Sequence, residues 1–179
     1  NILPKELNIG VDTVKIISVG RLIYLKGYDI AIDAAKILVN RGLKFQWFVI
    51  GEGNERSKLE VQIKKNGLEE YFHLIGLRLN PYPYIKYADL LVQSSRYEGK
   101  SVVLDEAKIL GKQIVVTNYN SVEDQIKNKV EGLIAEMSAE GIADQILYIN
   151  EHPLENNYVV KSNKNEVQNY MNTLVYGQH

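Results

Sequence analysis

Three glycines, Gly42, Gly67 and Gly111, each close a segment with helical apolar spacing, and a short apolar run follows each within a few residues. Repeated along the chain, this alternation of helix and short buried strand predicts a doubly wound parallel sheet, Rossmann-like, in a three-layer α/β/α arrangement. The expected strands are Lys15 to Val19, Phe45 to Ile50, Tyr71 to Ile75, Leu90 to Gln93, Ile114 to Thr117, and a weak sixth from Gly132 to Ala135. Between them the spacing predicts helices from Tyr28 to the Gly42 cap, from about Glu55 to Asn66, a short one after Asn80 to Pro83 ending near Ala88, and one holding Glu106. A polar helical piece is expected near Ser121 to Asn128, and a helix from Ala139 to Asn150.

With 179 residues, 45% of them hydrophobic, the chain fits one domain with a core at about 15–150. Residues 1–12 read as a linker-like lead-in. An amphipathic helix is expected over 160–179, where Val167, Tyr170, Met171, Leu174 and Val175 recur at helical spacing. It would pack on this domain or dock on a partner domain. The first residue is Asn1 rather than Met, so a fragment or processed product is expected, with part of any active site elsewhere. A net charge of -1 argues against a nucleic-acid partner. The absence of cysteine removes disulfide, thiolate-metal and cysteine-nucleophile chemistry, and suits a reducing cytosol. No apolar run is long enough for a transmembrane helix. His73, His152 and His179 share no helical face, so no metal site is expected.

In such a sheet, ligands bind outside the carboxyl ends of the strands. The loops there hold Arg21 and Lys26, then Gly51 to Gly53, then Leu77 and Arg78, then Glu98 to Ser101. The stretch from Arg96 to Gly111 is the most informative. Glu98 stands at a glycine turn before a helix and Glu106 on that helix's second turn, with seven residues between them. The spacing alone proves little, because Glu52 with Glu60 and Glu123 with Glu131 repeat it. The helix start at Lys100 to Val102 offers unpaired N–H groups and a positive dipole end to an anion. Gly99-Lys100-Ser101 imitates the second half of a P-loop, but Ser94 stands where the first glycine is needed. Gly51-Glu52-Gly53 imitates a dinucleotide fingerprint, but Arg56 replaces its third glycine; it is read as a turn that lets a ligand approach.

Taken together, Gly20-Arg21 with Lys26-Gly27, Gly51 to Gly53, Gly76, and Ser95-Arg96-Tyr97-Glu98-Gly99 with Glu106-Ala107 resemble the C-terminal, donor-binding domain of retaining GT-B glycosyltransferases of the large group 1, or family 4, type. The resemblance spans about Lys15 to Asn150 and departs where Lys100-Ser101 replaces a common aromatic. It implies a UDP- or GDP-sugar donor with no tightly bound cofactor, and a glycan or lipid-linked acceptor in bacterial surface polysaccharide synthesis. It also implies an absent N-terminal acceptor domain, without which this domain would be inactive, and a cytoplasmic place at the inner face of the membrane. By the same resemblance Arg21 and Lys26 pair with the donor phosphates, Glu98 lies near the donor sugar and Glu106 accepts from the ribose hydroxyls. Gly20, Gly99, Lys100, Ser101 and Val102 line the nucleotide, and the base lies against Leu77 and Arg78. Alternatives on related folds are a sugar-nucleotide epimerase half, a non-catalytic nucleotide-binding module and a P-loop hydrolase.

Overall fold

The computed structural model describes residues 2–155; the helix expected over 160–179 lies outside them. Strands β1 (Val14–Val19), β2 (Phe45–Ile50), β3 (Phe72–Gly76), β4 (Leu90–Gln93), β5 (Gln113–Thr117) and β6 (Leu133–Ala135) alternate with helices α1 (Tyr28–Asn40), α2 (Arg56–Lys65), α3 (Tyr82–Tyr87), α4 (Val102–Ile109) and α5 (Ala139–Glu151). All pairings are parallel and the strand order is β3-β2-β1-β4-β5-β6. This is the expected doubly wound sheet.

Alternate strand residues feed two cores. Ile16, Trp47, Val49, Phe72, Leu90 and Val115 pack with α1, α2 and α5 on one face. On the other, Ile17, Phe48, Leu91, Ile114 and Val116 pack with Ile85 of α3 and with Leu104 and Ala107 of α4. A strand buried on both faces must be apolar at nearly every position, which is why these runs do not alternate. Two polar groups that enter the core are bonded in series: Trp47 Nε1 donates to Ser18 Oγ at 3.0 Å, and Ser18 donates to Val92 O at 2.6 Å.

Two expectations need correction. The lead-in is not a loose linker, because Lys5–Leu7 forms a 3₁₀ turn and Leu7, 1% exposed, is part of the α3/α4 core. The piece expected to be helical near Ser121 to Asn128 is only a 3₁₀ turn, Val122–Asp124. Val122 and Ile126 are buried there, and the chain leaves through Lys129, at φ 63, into a bridge between Asn128 and Gly132. Burial of Val122 and Ile126 in the α3/α4 core overrides a weak helical preference.

The glycines after β2 are also not what the motif suggested. A Cβ on Gly51 would stand 1.9 Å from Gly20 O, and one on Gly53 2.2 Å from Leu22 O. Leu22 N donates to Glu52 O and Glu55 N donates to Leu22 O, at 2.9 and 3.0 Å. The space at these glycines is therefore filled by the chain itself, and their function is to seat the loop after β1. Gly53→Ala is predicted to destabilise the domain by about 1–3 kcal/mol, the usual cost of overpacking. Gly99→Ala, whose Cβ meets nothing within 4 Å, should stay within about 0.5 kcal/mol of wild type. Equal denaturation midpoints for wild type and Gly53→Ala would refute the packing role.

Candidate functional site

Strand order reverses direction between β1 and β4, so the chain leaving β1 turns to α1 on one face while the chain leaving β4 turns to α4 on the other. A crevice outside the strand ends is the geometric result. Its two walls are the loop 20–27 and the loop 94–101.

These walls are joined at close range. Gly27 has φ 65, and a Cβ there would fall 2.0 Å from Ser94 O, so only glycine lets the backbones meet. Ser94 Oγ donates to Lys26 O at 2.9 Å and Arg96 N to Leu25 O at 2.8 Å. Arg96 then binds Asp29 through two bonds of 2.8 and 2.6 Å, donates to Tyr24 O at 2.8 Å, and lies 4.0 Å from the centre of the Tyr24 ring. Burial alone would raise the Asp29 carboxyl, but the Arg96 guanidinium holds it below the ordinary range.

Inside this frame Lys26 Nζ donates to Glu98 Oε1, and Ser95 Oγ donates to the same oxygen at 2.6 Å. The Lys26 and Glu98 side chains are 24% and 10% exposed. Tyr28 and Tyr119 stand nearby. Burial, reinforced by the Glu98 charge, raises both phenols, that of Tyr119 to about 12. Both remain protonated at neutral pH and so can donate hydrogen bonds.

The start of α4 is built from below and from the side. Ser101 caps the helix, its Oγ accepting from Leu104 N at 3.4 Å and donating to Gln93 Oε1 at 2.8 Å. Ser101 N donates to Gln125 Oε1 at 3.0 Å. Of the N–H groups expected to meet an anion, that of Ser101 is therefore already committed. Those of Lys100, Val102 and Val103 have no acceptor among the described residues. The P-loop alternative needs a free Ser101 hydroxyl for a metal and Lys100 for phosphate. Here the hydroxyl is bonded within the core, and the Lys100 side chain is 80% exposed with Asp105 3.8 Å away.

Glu106 projects from the second turn of α4, and no described residue hydrogen-bonds or ion-pairs with its carboxylate. Burial, with Asp105 beside it, raises this carboxyl, and Glu106 in turn adds to the rise at the Tyr82 phenol. A half-buried acceptor without a donor is suited to ligand hydroxyls.

The remaining site residues sit apart. Arg21 is exposed on the first loop, beside the Gly20 backbone that packs on Gly51. Leu77, 72% exposed, lies beyond β3 at the sheet edge. Arg78 is a clamp on the lead-in: it donates to Glu6 at 2.7 Å, to Tyr84 Oη at 2.8 Å, and to Ile75 O and Leu77 O. Asp29, Thr117, Ser121 and Gln125 escaped the sequence motifs because their partners lie 22 or more residues away.

Two larger clefts flank the body. One, of about 680 Å³, runs between Tyr97 to Lys100 and Asn120 to Gln125 on the outer side of the loop before α4. The other, of about 580 Å³, lies at the amino ends of the strands beside Asp12, Lys44 and Asn150. At that end Lys44 pairs with Asp12 at 3.3 Å, and no helix start among the described residues supplies anion donors.

A family model described as glycosyl transferases group 1 matches residues 1–166. The chain belongs to this family, and its fold is that of the C-terminal half of a GT-B glycosyltransferase. It is 30% identical over 146 residues to the amylovoran biosynthesis glycosyltransferase AmsK of Erwinia amylovora, covering 76% of this chain and 36% of AmsK. It is 26% identical to a poly(ribitol-phosphate) alpha-N-acetylglucosaminyltransferase of Staphylococcus aureus, covering 85% of this chain and 31% of that protein. The chain thus spans about a third of the length of these curated relatives. Among solved structures, Anabaena Alr3699/HepE in complex with UDP and glucose superposes with a TM-score of 0.73 at 20% identity, over 92% of this chain and 45% of that one. The C-terminal domain of the Francisella tularensis group 1 glycosyltransferase LpcC covers 92% of this chain and 85% of its own, with a TM-score of 0.68 at 24% identity.

The raised Glu106 carboxyl has a stability consequence with a definite sign. A carboxyl raised in the folded state holds its proton more tightly there than in the unfolded chain, so stability falls as pH climbs from the unfolded value to the folded one. Glu106→Gln is therefore predicted to raise the melting temperature at pH 7 and to leave it unchanged below the ordinary glutamate value of about 4.3. A thermal melt at both pH values checks this, and a lower melting temperature at pH 7 would contradict it.

Proposed function

We propose that this chain is the donor-binding half of a retaining glycosyltransferase that transfers sugar from a UDP- or GDP-sugar to a glycan or lipid-linked acceptor in bacterial surface polysaccharide synthesis. The observation that carries this is the meeting, at the β1/β4 crevice, of the Lys26–Glu98 pair with the open N–H groups of α4. Breaking the bond from sugar to diphosphate adds negative charge to the leaving phosphate, and donors fixed in advance stabilise that increase. Lys100, Val102 and Val103 supply main-chain N–H groups, and exposed Arg21 supplies a guanidinium. Lys26 has three protons to donate, so it can keep Glu98 and reach a phosphate oxygen as well.

Glu98 then has two tasks. It holds the ammonium in place, and its outer oxygen accepts from hydroxyls of the donor sugar. Glu106 accepts from the ribose, and helical side chains lean toward the N-terminus and so toward the crevice. The base lies against the main chain at Leu77 and Arg78. Names borne by relatives and neighbours, among them amylovoran biosynthesis and complexes with UDP, support a nucleotide-sugar donor and a surface-glycan product. The acceptor and the rest of the machinery belong to a preceding domain, at the cytoplasmic face of the membrane, so this domain alone is predicted not to transfer sugar.

Calorimetric titration with UDP, GDP, ADP and ATP, with and without magnesium, tests the proposal. UDP or GDP should bind without metal; magnesium-dependent preference for ATP would contradict it. In the full-length enzyme Glu106→Ala should weaken donor use by about 1.5–3 kcal/mol, the value of a hydrogen bond to a charged group. Lys26→Ala and Arg21→Ala should lower kcat more than they weaken ground-state donor binding. Unchanged kcat in both would remove the leaving-group role.

A further inference from the structure

The loop between Gln93 and α4 belongs to no ladder, so its main-chain groups need partners from elsewhere. Arg96 N finds Leu25 O, and four further main-chain groups find side chains of one neighbouring segment, 117–125. Thr117 Oγ1 donates to Ser95 O at 2.5 Å and Ser121 Oγ to Glu98 O at 3.1 Å. Gln125 makes two bonds, Nε2 donating to Gly99 O at 2.5 Å and Oε1 accepting from Ser101 N at 3.0 Å. The carboxamide therefore spans Lys100 and fixes the peptide groups on both sides of it.

Gln125 is itself firmly placed. Its neighbour Ile126 is fully buried, Val122 is 4% exposed, its own N–H donates to Val122 O at 3.0 Å, and its carbonyl accepts from Lys108 Nζ at 2.8 Å. Tyr119 Oη donates to its Oε1 at 3.4 Å. A primary carboxamide can donate to a carbonyl and accept from an N–H in one plane; a carboxylate cannot donate and an ammonium cannot accept. Asparagine is one methylene too short to keep both bonds from the same backbone position.

Resting on the donor-site proposal, we infer that Gln125 is a positioning residue for the transfer reaction. It presets the Glu98–Ser101 loop and the start of α4, so that the open N–H groups of Lys100, Val102 and Val103 already stand where a leaving diphosphate gains charge. It acts through the loop rather than by touching the donor. Preset donors matter most in the transition state, because they need no rearrangement when charge appears.

The test uses the full-length enzyme and three variants, Gln125→Met, which keeps length without hydrogen bonds, Gln125→Glu, which keeps only the acceptor, and Gln125→Ala. Melting temperature, affinity for UDP and GDP, and kcat with donor KM from nucleoside diphosphate release are measured. Each folded variant should lose about tenfold or more in kcat, a change of about 1.4 kcal/mol, with donor KM moved less than about threefold. Gln125→Glu should not recover activity, since the Gly99 bond stays lost. A folded Gln125→Met with wild-type kcat overturns the inference and leaves the donor site standing. Wild-type enzyme that binds neither UDP nor GDP overturns the donor site and this inference with it. If Gln125→Ala fails to fold, the Met and Glu variants decide alone.

Discussion

The distance between Gly27 and Ser94 governs the carboxyl end of this sheet. At φ 65, with Ser94 O where a Cβ would be, Gly27 lets the loop after β1 lie directly against the loop after β4. Every other contact across the crevice depends on that approach. The Arg96 bonds to Asp29 and Tyr24 O, the Ser94 bond to Lys26 O and the Lys26–Glu98 pair all need the two loops in register. A side chain at position 27 would separate the walls and with them the cation and carboxylate.

In the proposed donor site the frame is bonded within the protein, and the groups left open are those assigned to the ligand. Asp29, Arg96, Ser95 and Gln125 are satisfied within the protein, whereas Glu106 and the N–H groups of Val102 and Val103 have no partner among the described residues. Leaving a half-buried carboxylate unpaired costs stability, and it is a common compromise at sites that must bind hydroxyls or charge. The paired residues hold the frame rigid, and the unpaired groups are the ones the proposal assigns to the ligand, together with the Lys26–Glu98 pair.

Much of this was legible in the sequence, for stated reasons. Strands buried on both faces are unbroken apolar runs, so β2 and β4 fall where the pattern put them. Left-handed helix ends require glycine, so Gly42, Gly67 and Gly111 mark the returns to the sheet, each at positive φ. What stayed hidden was pairing between distant residues. Nothing local in Lys26 announces Glu98, 72 residues on, as its partner, and nothing in Gln125 announces Gly99 and Ser101. The same limit explains Gly51 and Gly53, where composition suggested room for a ligand and the fold uses the room for Gly20 and Leu22. Arg78 is a further case: nothing local announces that its guanidinium binds Glu6, 72 residues before it, and Tyr84, which leaves only its main chain for the base proposed there.

In the proposed donor complex a nucleoside diphosphate sits at the β1/β4 crevice, with its phosphates on the start of α4. The most direct measurement is an amide NMR titration of the 179-residue chain with UDP and with GDP. The largest shifts are predicted at Gly20, Arg21, Lys100, Val102 and Val103, and only small ones at Asp12, Lys44 and Asn150 in the cleft at the other end of the sheet. Shifts concentrated in that opposite cleft, or none at the start of α4, would contradict it.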